Sequence, residues 1–455
     1  MRTLRAGLQD GRDRSSGRSS GWEENGGIHD MLEDQLMDDR SHLILADRCG
    51  ERSLPSAIFQ QVLAFWLLSS SAIFANDALI MPAEKSVFRL DLRPSVEAVS
   101  WASDDPPPAL LDSDDSVFFA PVLRLDADGA AGDHWFFHSS LRADRGFDAV
   151  TRESGDIRLD EVFLRWRVGG DQRLNFQIGR FPTAFGGWVA GHDFFDDPFL
   201  SAPLPYSQII GVQTRDPAAM TPAAIAARAS GAAPPVSRLS KQNWASLVWG
   251  PSYGTGASVF GATEHFDYAL ELKNASLSSH SDSWEGNGFE DPAVTARVGW
   301  RPDAAWALGA SASRGPWLED NVPGLDRADL QQTTIGLDVR WAHRNFIVTS
   351  EIVLSEFETP AAGDLCAASW YLSGRWKFSE GMWLAARFGQ MIANDATAPA
   401  GGDVEWQPDV WRAELAAGWR VTSSILLKAS YGFTHTDDNA GAGEHLLGAG
   451  IGWRF

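Results

Sequence analysis

The sequence predicts an all-β chain, a transmembrane antiparallel up-and-down β-barrel of about sixteen strands (16–18), with short turns at one end and long loops at the other. Three observations predict it. From Lys85 onward, apolar and polar residues alternate with period two, the pattern of strands with two unlike faces. Tryptophan recurs just before tight connections. No stretch after residue 75 approaches the roughly 18 consecutive apolar residues of a spanning helix, so any crossing falls to strands.

The chain has 455 residues, 20 of them Trp and 43 Gly, with only five lysines and a formal net charge of −22. That balance argues against a nucleic-acid partner, because phosphate binding needs a basic surface. Residues 1–52 are polar and rich in Arg, Asp and Gly. They read as an atypical leader or as an over-extended start, with Met37 as an internal alternative. Residues 53–75 follow as a secretory signal: "AIFQQVLAFWLLSSSAIFA" is apolar, has Arg48 and Arg52 before it and ends on a small residue, Ala75. Residues 76–455 then form one barrel domain. Removing 1–75 leaves 30 basic and 49 acidic residues, so the remainder stays acidic at −19. Cys49 and Cys366 are not expected to pair, since the first falls in the segment to be removed.

Within the barrel domain, "VFRLDLR" sets Phe88, Leu90 and Leu92 against Arg89, Asp91 and Arg93, and "TIGLDVRW" sets Ile335, Leu337, Val339 and Trp341 against Asp338 and Arg340. Strand ends separate a membrane barrel from a soluble sandwich. Trp166, Trp249, Trp300, Trp341, Trp376 and Trp419 each precede a few turn residues and a new strand, and Trp453 stands at the chain end. Short turn, strand, long loop, strand is the rhythm of outer-membrane barrels, whose aromatic girdles mark the interfaces. Indole suits that level, with an apolar body and one donor.

Outgoing strands are read at 86–101, 134–145, 173–181, 255–265 (extending toward 275), 304–313, 346–356, 382–391 and 425–434. Returning strands are read at 117–126, 157–167, 242–249, 292–301, 331–341, 366–378, 410–420 and 445–455. An even count puts both termini on the periplasmic side. Sixteen strands enclose an aqueous channel where about eight would be filled by side chains, so the polar face is expected to line water. A terminal aromatic on the last strand resembles the insertion signal of outer-membrane barrels, which makes Phe455 an assembly signal for barrel-assembly machinery.

One connection, 182–241, is far longer than the others, and such loops are usually functional. Its first part is aromatic-rich and carries Asp193, Asp196 and Asp197. Either it folds into the lumen, where those carboxylates form the acidic side of a constriction, or it is an external solvated turn. Parity anchored on each outward Trp assigns Arg89, Arg124, Arg142, Arg165, Arg297, Arg340, Arg375, Arg387, Arg412 and Lys428 to the lumen. Asp91, Asp126, Glu161, Asp338 and Glu414 join them there. Charge in a pore wall is a selectivity device, and some of these bases will be paired with acids across strands.

"LDEVFLRWR" (159–167), a short turn and "LNFQIGRFPTAFGG" (174–187) together resemble the phosphate-selective porin O and P family of outer-membrane porins. The resemblance covers about 30 residues. It implies a sixteen-stranded pore, a homotrimer in outer-membrane lipid, and an arginine-lined path for small ions or solutes, including phosphate or other anions. The family's anion selectivity also draws on lysines near the entrance. Here lysine is scarce and the external loops are acidic, so a general or cation-tolerant pore fits the composition equally.

Other motifs carry less. "DADGAAGD" (126–133) lacks the closing Glu of a calcium loop, and the ten His show no metal-ligand spacing, so no metal, cofactor or catalytic set is expected. His138 and Ser140 share an inward face, which is the one opening for a barrel hydrolase. A structural or adhesive surface barrel is the third reading.

Overall fold

The structure, a computed structural model, describes residues 88–104, 116–144, 156–170, 172–236, 239, 243–280, 289–319, 322, 324–437 and 443–455. The leader, the signal segment, the cleavage point and Cys49 lie outside them. The strands are β1 (Arg89–Ser103), β2 (Val117–Ala131), β3 (Trp135–Asp144), β4 (Asp156–Arg167), β5 (Asn175–Phe181), β6 (Gly254–Ala262), β7 (Phe266–Lys273), β8 (Ala293–Trp300) and β9 (Trp306–Pro316). They continue with β10 (Gln331–His343), β11 (Phe346–Phe357), β12 (Leu365–Ser379), β13 (Met382–Ala393), β14 (Asp395–Thr397), β15 (Asp403–Glu405), β16 (Val410–Arg420), β17 (Ile425–Thr436) and β18 (Gly443–Arg454). All but β14 and β15, a separate hairpin, form one closed antiparallel barrel of sixteen strands. Closure pairs β1 with β18, from Ser95 opposite Arg454 to Ser103 opposite Leu446. Closing the sheet removes the unpaired edges that hydrocarbon cannot satisfy.

Alternation places the residues as period two requires. Leu92, Leu123, Ile178, Leu270, Val298 and Leu415 are among the exposed outward side chains, so the outer surface is apolar. Seven short turns lie at one end, beside the start of β1 and the end of β18, and eight long connections lie at the other. The turn between β12 and β13 uses Gly381 at φ 72°, with the Arg420 carbonyl 2.6 Å from where a Cβ would stand. A non-glycine residue there would be strained as well as crowded.

The strand count agrees with the sequence reading, but one pair of strands was placed differently. Residues 243–249, within the stretch read as the strand 242–249, form no barrel strand. Their apolar run packs inside the long connection, which spans 182–253 rather than 182–241. The pattern read as one long strand from 255 is two, β6 and β7, joined by the turn 263–265. Thr263 closes that turn by bonding Phe266, and no Gly or Pro announces it. Trp249 is accordingly not a girdle residue. It is fully buried, with its ring 4.1 Å from that of His280. The other six tryptophans stand at the short-turn end. Trp166, Trp300, Trp376, Trp419 and Trp453 are 43–47 % exposed, and Trp341 is half-buried beside Trp306. Trp135, which the sequence reading passed over, stacks on Trp166 at 6.2 Å. Cys366 is buried on β12, its sulfur 4.0 Å from Glu356 Oε2.

Candidate functional site in the barrel lumen

The connection 182–253 enters the barrel and follows its inner wall. Glu271 on β7 accepts from Thr183 Oγ1 (3.1 Å) and the Ala184 amide (3.0 Å), and Ser311 Oγ on β9 accepts from the Gly186 amide (3.1 Å). Tyr206, in the helical turn α1 (Leu204–Ser207), donates to Glu351 on β11 at 2.6 Å. Phe185, Val189, Leu204, Tyr206, Ile210 and Val212 join inward residues of β11, β12 and β13 in one buried cluster. The helix α2 (Pro222–Ala229) adds Ile225 to it. Apolar burial thus anchors this half of the segment, at roughly 1.5–3 kcal/mol per fully buried large side chain.

The tip, residues 193–202, joins apolar packing to charged contacts: Phe194, Phe195 and Leu200 pack with Val99, Trp101, Phe118 and Leu426, and Phe199 with Ala385 and Ala416. Lys428 Nζ donates to the carbonyls of Asp197 and Phe199 at 3.0 Å each. Arg387 donates to the Ser201 carbonyl at 2.7 Å and to Glu414 at 2.5 Å. Arg412 donates to the Ala202 carbonyl (3.3 Å) and Ser207 Oγ (3.0 Å), and Arg420 to the Phe195 carbonyl (3.1 Å). Three of the ten predicted lumen bases, Arg387, Arg412 and Lys428, are therefore buried and engaged with the loop.

Others pair with the wall. Arg297 makes two bonds to Asp338 (2.5 and 2.9 Å), and Arg142 pairs with Asp144 at 2.6 Å. Arg165 bonds Gln177 twice (3.0 and 2.8 Å), with the rings of Phe136, Phe163 and Phe260 4.8–5.3 Å away. Arg89 pairs with Asp91 at the exposed rim. A register shift between Ser140 and Leu141 turns both Asp160 and Glu161 inward, so Arg158 and Asp160 join a buried ionic cluster with Arg142 and Asp144. Simple parity could not show that.

Three polar cavities remain on the short-turn side of the loop. The first, about 770 Å³, is lined by Arg344, Arg375, Lys377 and Arg420 with Asp196, Asp197 and Glu380. Among the described residues, the side chains of Arg344, Arg375 and Lys377 make no ion pair or hydrogen bond. Arg340 stands exposed nearby on β10. The second cavity, about 430 Å³, is lined by Arg93, Arg124, Arg454, Asp126, His138, Glu161, His192, Asp193 and Asp196. Asp196 belongs to both. The third, about 620 Å³, holds Arg165, Arg167, Arg297, Asp267 and Glu271.

The three loop aspartates differ. Asp193 caps its own turn, accepting from the amides of Phe195 (2.7 Å) and Asp196 (2.9 Å), and takes a 2.8 Å bond from Arg454. Asp197 is buried, bonded by Trp188 Nε1 (2.7 Å) and the Phe199 amide (2.8 Å). Burial pushes its carboxyl above the usual range, although Arg387 and Lys428 pull the other way. Asp196 is exposed to the cavities, and burial of its surroundings followed by repulsion from Asp193 raises its carboxyl too.

The expected open, water-lined wall is not what the loop leaves. Every barrel strand has an inward residue that is buried. Several are direct cross-strand partners: Gln177 with Ser258, Ser258 with Glu271, Asp338 with Glu351, and Arg387 with Glu414. Above the cavities the polar wall faces the loop. His138 bonds Asp128 at 2.7 Å, and among the described residues Ser140 Oγ, which is buried, has no hydrogen-bond partner, so the two do not form a nucleophile–base pair.

No protein-family model matches the chain, and no curated protein matches it. Solved structures do match over most of its length. A loop-L8 deletion mutant of OmpT, an outer membrane protein of Vibrio cholerae, aligns at TM-score 0.53 and 12 % identity, covering 81 % of this chain and 100 % of that one. OmpF of Salmonella typhi, solved with daunomycin, aligns at TM-score 0.52 and 12 % identity, covering 82 % and 100 %. The outer membrane channel DcaP of Acinetobacter baumannii aligns at TM-score 0.50 and 10 % identity, covering 82 % and 99 %. At such identities the likeness is one of fold: this chain has the closed sixteen-stranded architecture of outer-membrane porins.

Proposed function

We propose that the chain is a porin of the bacterial outer membrane that passes small hydrophilic solutes and ions by diffusion, without chemical conversion. The observation that carries this reading is the pair of polar cavities meeting at Asp196, inside a barrel whose outer face is apolar. In the first cavity, cations without local partners face the loop carboxylate. Such an arrangement sorts solutes by charge, since unpaired charge in a narrow, low-dielectric space acts more strongly than in water. Arg93, Arg124, Arg340, Arg344, Arg375, Lys377 and Arg420 favour anions, phosphate among them, and Asp196 moderates that preference. The remaining predicted bases serve the wall and the loop.

The same reading places both termini in the periplasm after removal of the signal at 53–75. The six short-turn tryptophans form the interfacial girdle, Phe455 addresses barrel-assembly machinery, and the working form is a homotrimer. Liposome swelling tests it. Vesicles carrying the refolded protein should swell in small sugars and amino acids at rates that fall with solute size. Swelling no faster than in protein-free vesicles would remove the porin reading.

A further inference from the structure

The second cavity holds charges of both signs that the protein leaves unengaged. Arg124 on β2 lines it. Among the described residues the Arg124 side chain makes no hydrogen bond or ion pair, and its Nε is fully enclosed. The residue opposite it in register is another base, Arg142 on β3, which is taken by Asp144. Like charges directly opposite one another destabilise a sheet, so Arg124 stands open to an anion.

One step toward the short turns the sign reverses. Asp126, Ser140 and Glu161 form a row across β2, β3 and β4, two carboxylates with no base between them. Arg93 lies opposite Asp126 in register but donates to Asp128, which also takes the His138 ring at 2.7 Å. Glu161 has only the other nitrogen of that ring, 3.9 Å away, beyond hydrogen-bond reach. Among the described residues the Asp126 carboxylate has no partner.

Arg124 and Asp126 are next but one on a strand, roughly 7 Å along it, and both line the same cavity with Glu161. A simple anion satisfies Arg124 but is repelled by the two carboxylates, and a simple cation meets the opposite conflict. A molecule with a carboxylate and an ammonium on neighbouring atoms satisfies both. The cavity volume, about 430 Å³, lies in the lower part of the range of small-molecule sites, about 300–1,000 Å³. Guanidinium adds geometric selection for carboxylate through two parallel hydrogen bonds.

We propose that the second cavity is a binding subsite for α-amino acids in their zwitterionic form, with the carboxylate on Arg124 and the ammonium between Asp126 and Glu161. The loop contributes His192 and Asp196 to the lining. This inference rests on the porin reading and gives the path a solute class, one that pauses at a built site on its way through.

The test is ligand-detected NMR on the refolded full-length barrel in detergent, titrated with alanine, N-acetylalanine and alaninamide, a measurement of binding that needs no conduction. Alanine should bind at least about tenfold more tightly than either derivative, each of which has lost one charged group. Arg124→Gln should weaken alanine by a similar factor and leave alaninamide nearly unchanged. Asp126→Asn/Glu161→Gln should weaken alanine likewise and leave N-acetylalanine no weaker. A general loss of structure would instead move all three ligands together, and the comparison of ligands on the unsubstituted protein needs no variant. Equal affinity for alanine and either derivative, or no binding of alanine, overturns the subsite; vesicles of the same protein that still swell would then leave the porin reading standing. Alanine binding with the predicted ranking, in a protein whose vesicles do not swell, supports the subsite and removes the porin reading.

Discussion

Arg387 and Glu414 offer a quantitative test of how the lumen is organised. Their side chains are 3 % and 5 % exposed, their atoms are 2.5 Å apart, and both reach Ser201 of the loop. Phe199 lies 4.2 Å from the guanidinium and completes the enclosure. Arg387→Met leaves the Glu414 carboxylate buried beside a hydrocarbon, and the Ser201 carbonyl loses its charged donor. Breaking one partner of a buried pair costs about 3–5 kcal/mol, whereas replacing both by apolar groups is often neutral or better. Loss of the charged donor to the Ser201 carbonyl adds about 1–3 kcal/mol to the two variants that lack Arg387, the single and the double. Arg387→Met should therefore destabilise the refolded barrel by roughly 4–8 kcal/mol and Glu414→Leu by roughly 3–5 kcal/mol, each a hundredfold or more at about 1.4 kcal/mol per tenfold. The pair Arg387→Met/Glu414→Leu should recover most of that loss. Reversible urea unfolding in lipid vesicles, followed by tryptophan fluorescence, gives the four corners of the cycle. Singles costing under about 1 kcal/mol that add within about 0.5 kcal/mol would mean the two charges are hydrated, and that the loop does not cover them.

Three further outcomes follow from the same geometry. Asp196→Asn should move the zero-current potential in a salt gradient toward anion preference, whereas Asp197→Asn should weaken loop seating with little change in selectivity; the reverse ranking would misplace the two carboxylates. Because Asp196 is raised above the ordinary carboxylate range, it neutralises earlier as pH falls while the arginines stay charged. Anion preference should therefore rise on mild acidification and stay flat in Asp196→Asn. Phe455 donates its amide to the Pro94 carbonyl (3.1 Å) and packs on Trp453 at 4.2 Å between ring centres; deleting it should lower the yield of heat-modifiable barrel in cells while leaving refolding in detergent intact.

Period-two alternation made the barrel legible, because a wall between lipid and lumen needs unlike faces on every strand. It failed where apolar residues are buried for another reason. Leu247, Val248 and Trp249 form a strand-like run, yet they pack inside the lumen loop. The 263–265 turn escaped because Thr263 closes it without Gly or Pro. Inward assignment of the bases followed from parity, but their partners did not. Whether Arg387 faces a solute or Ser201 depends on contacts nearly two hundred residues apart in the chain, and local pattern carries no such information. Asp160 was hidden by a register irregularity, since a bulge breaks the parity on which the assignment rests. The glycines of β18 were visible as small residues, but the approach of Phe194 and Phe195 to Gly450 and Gly452 needed the loop above them.

The central claim is that this barrel conducts. Planar bilayers containing folded, heat-modifiable protein should show stepwise conductance increments, with a nonzero zero-current potential under a salt gradient that changes on Asp196→Asn. A bilayer that stays silent with the same folded protein would contradict it.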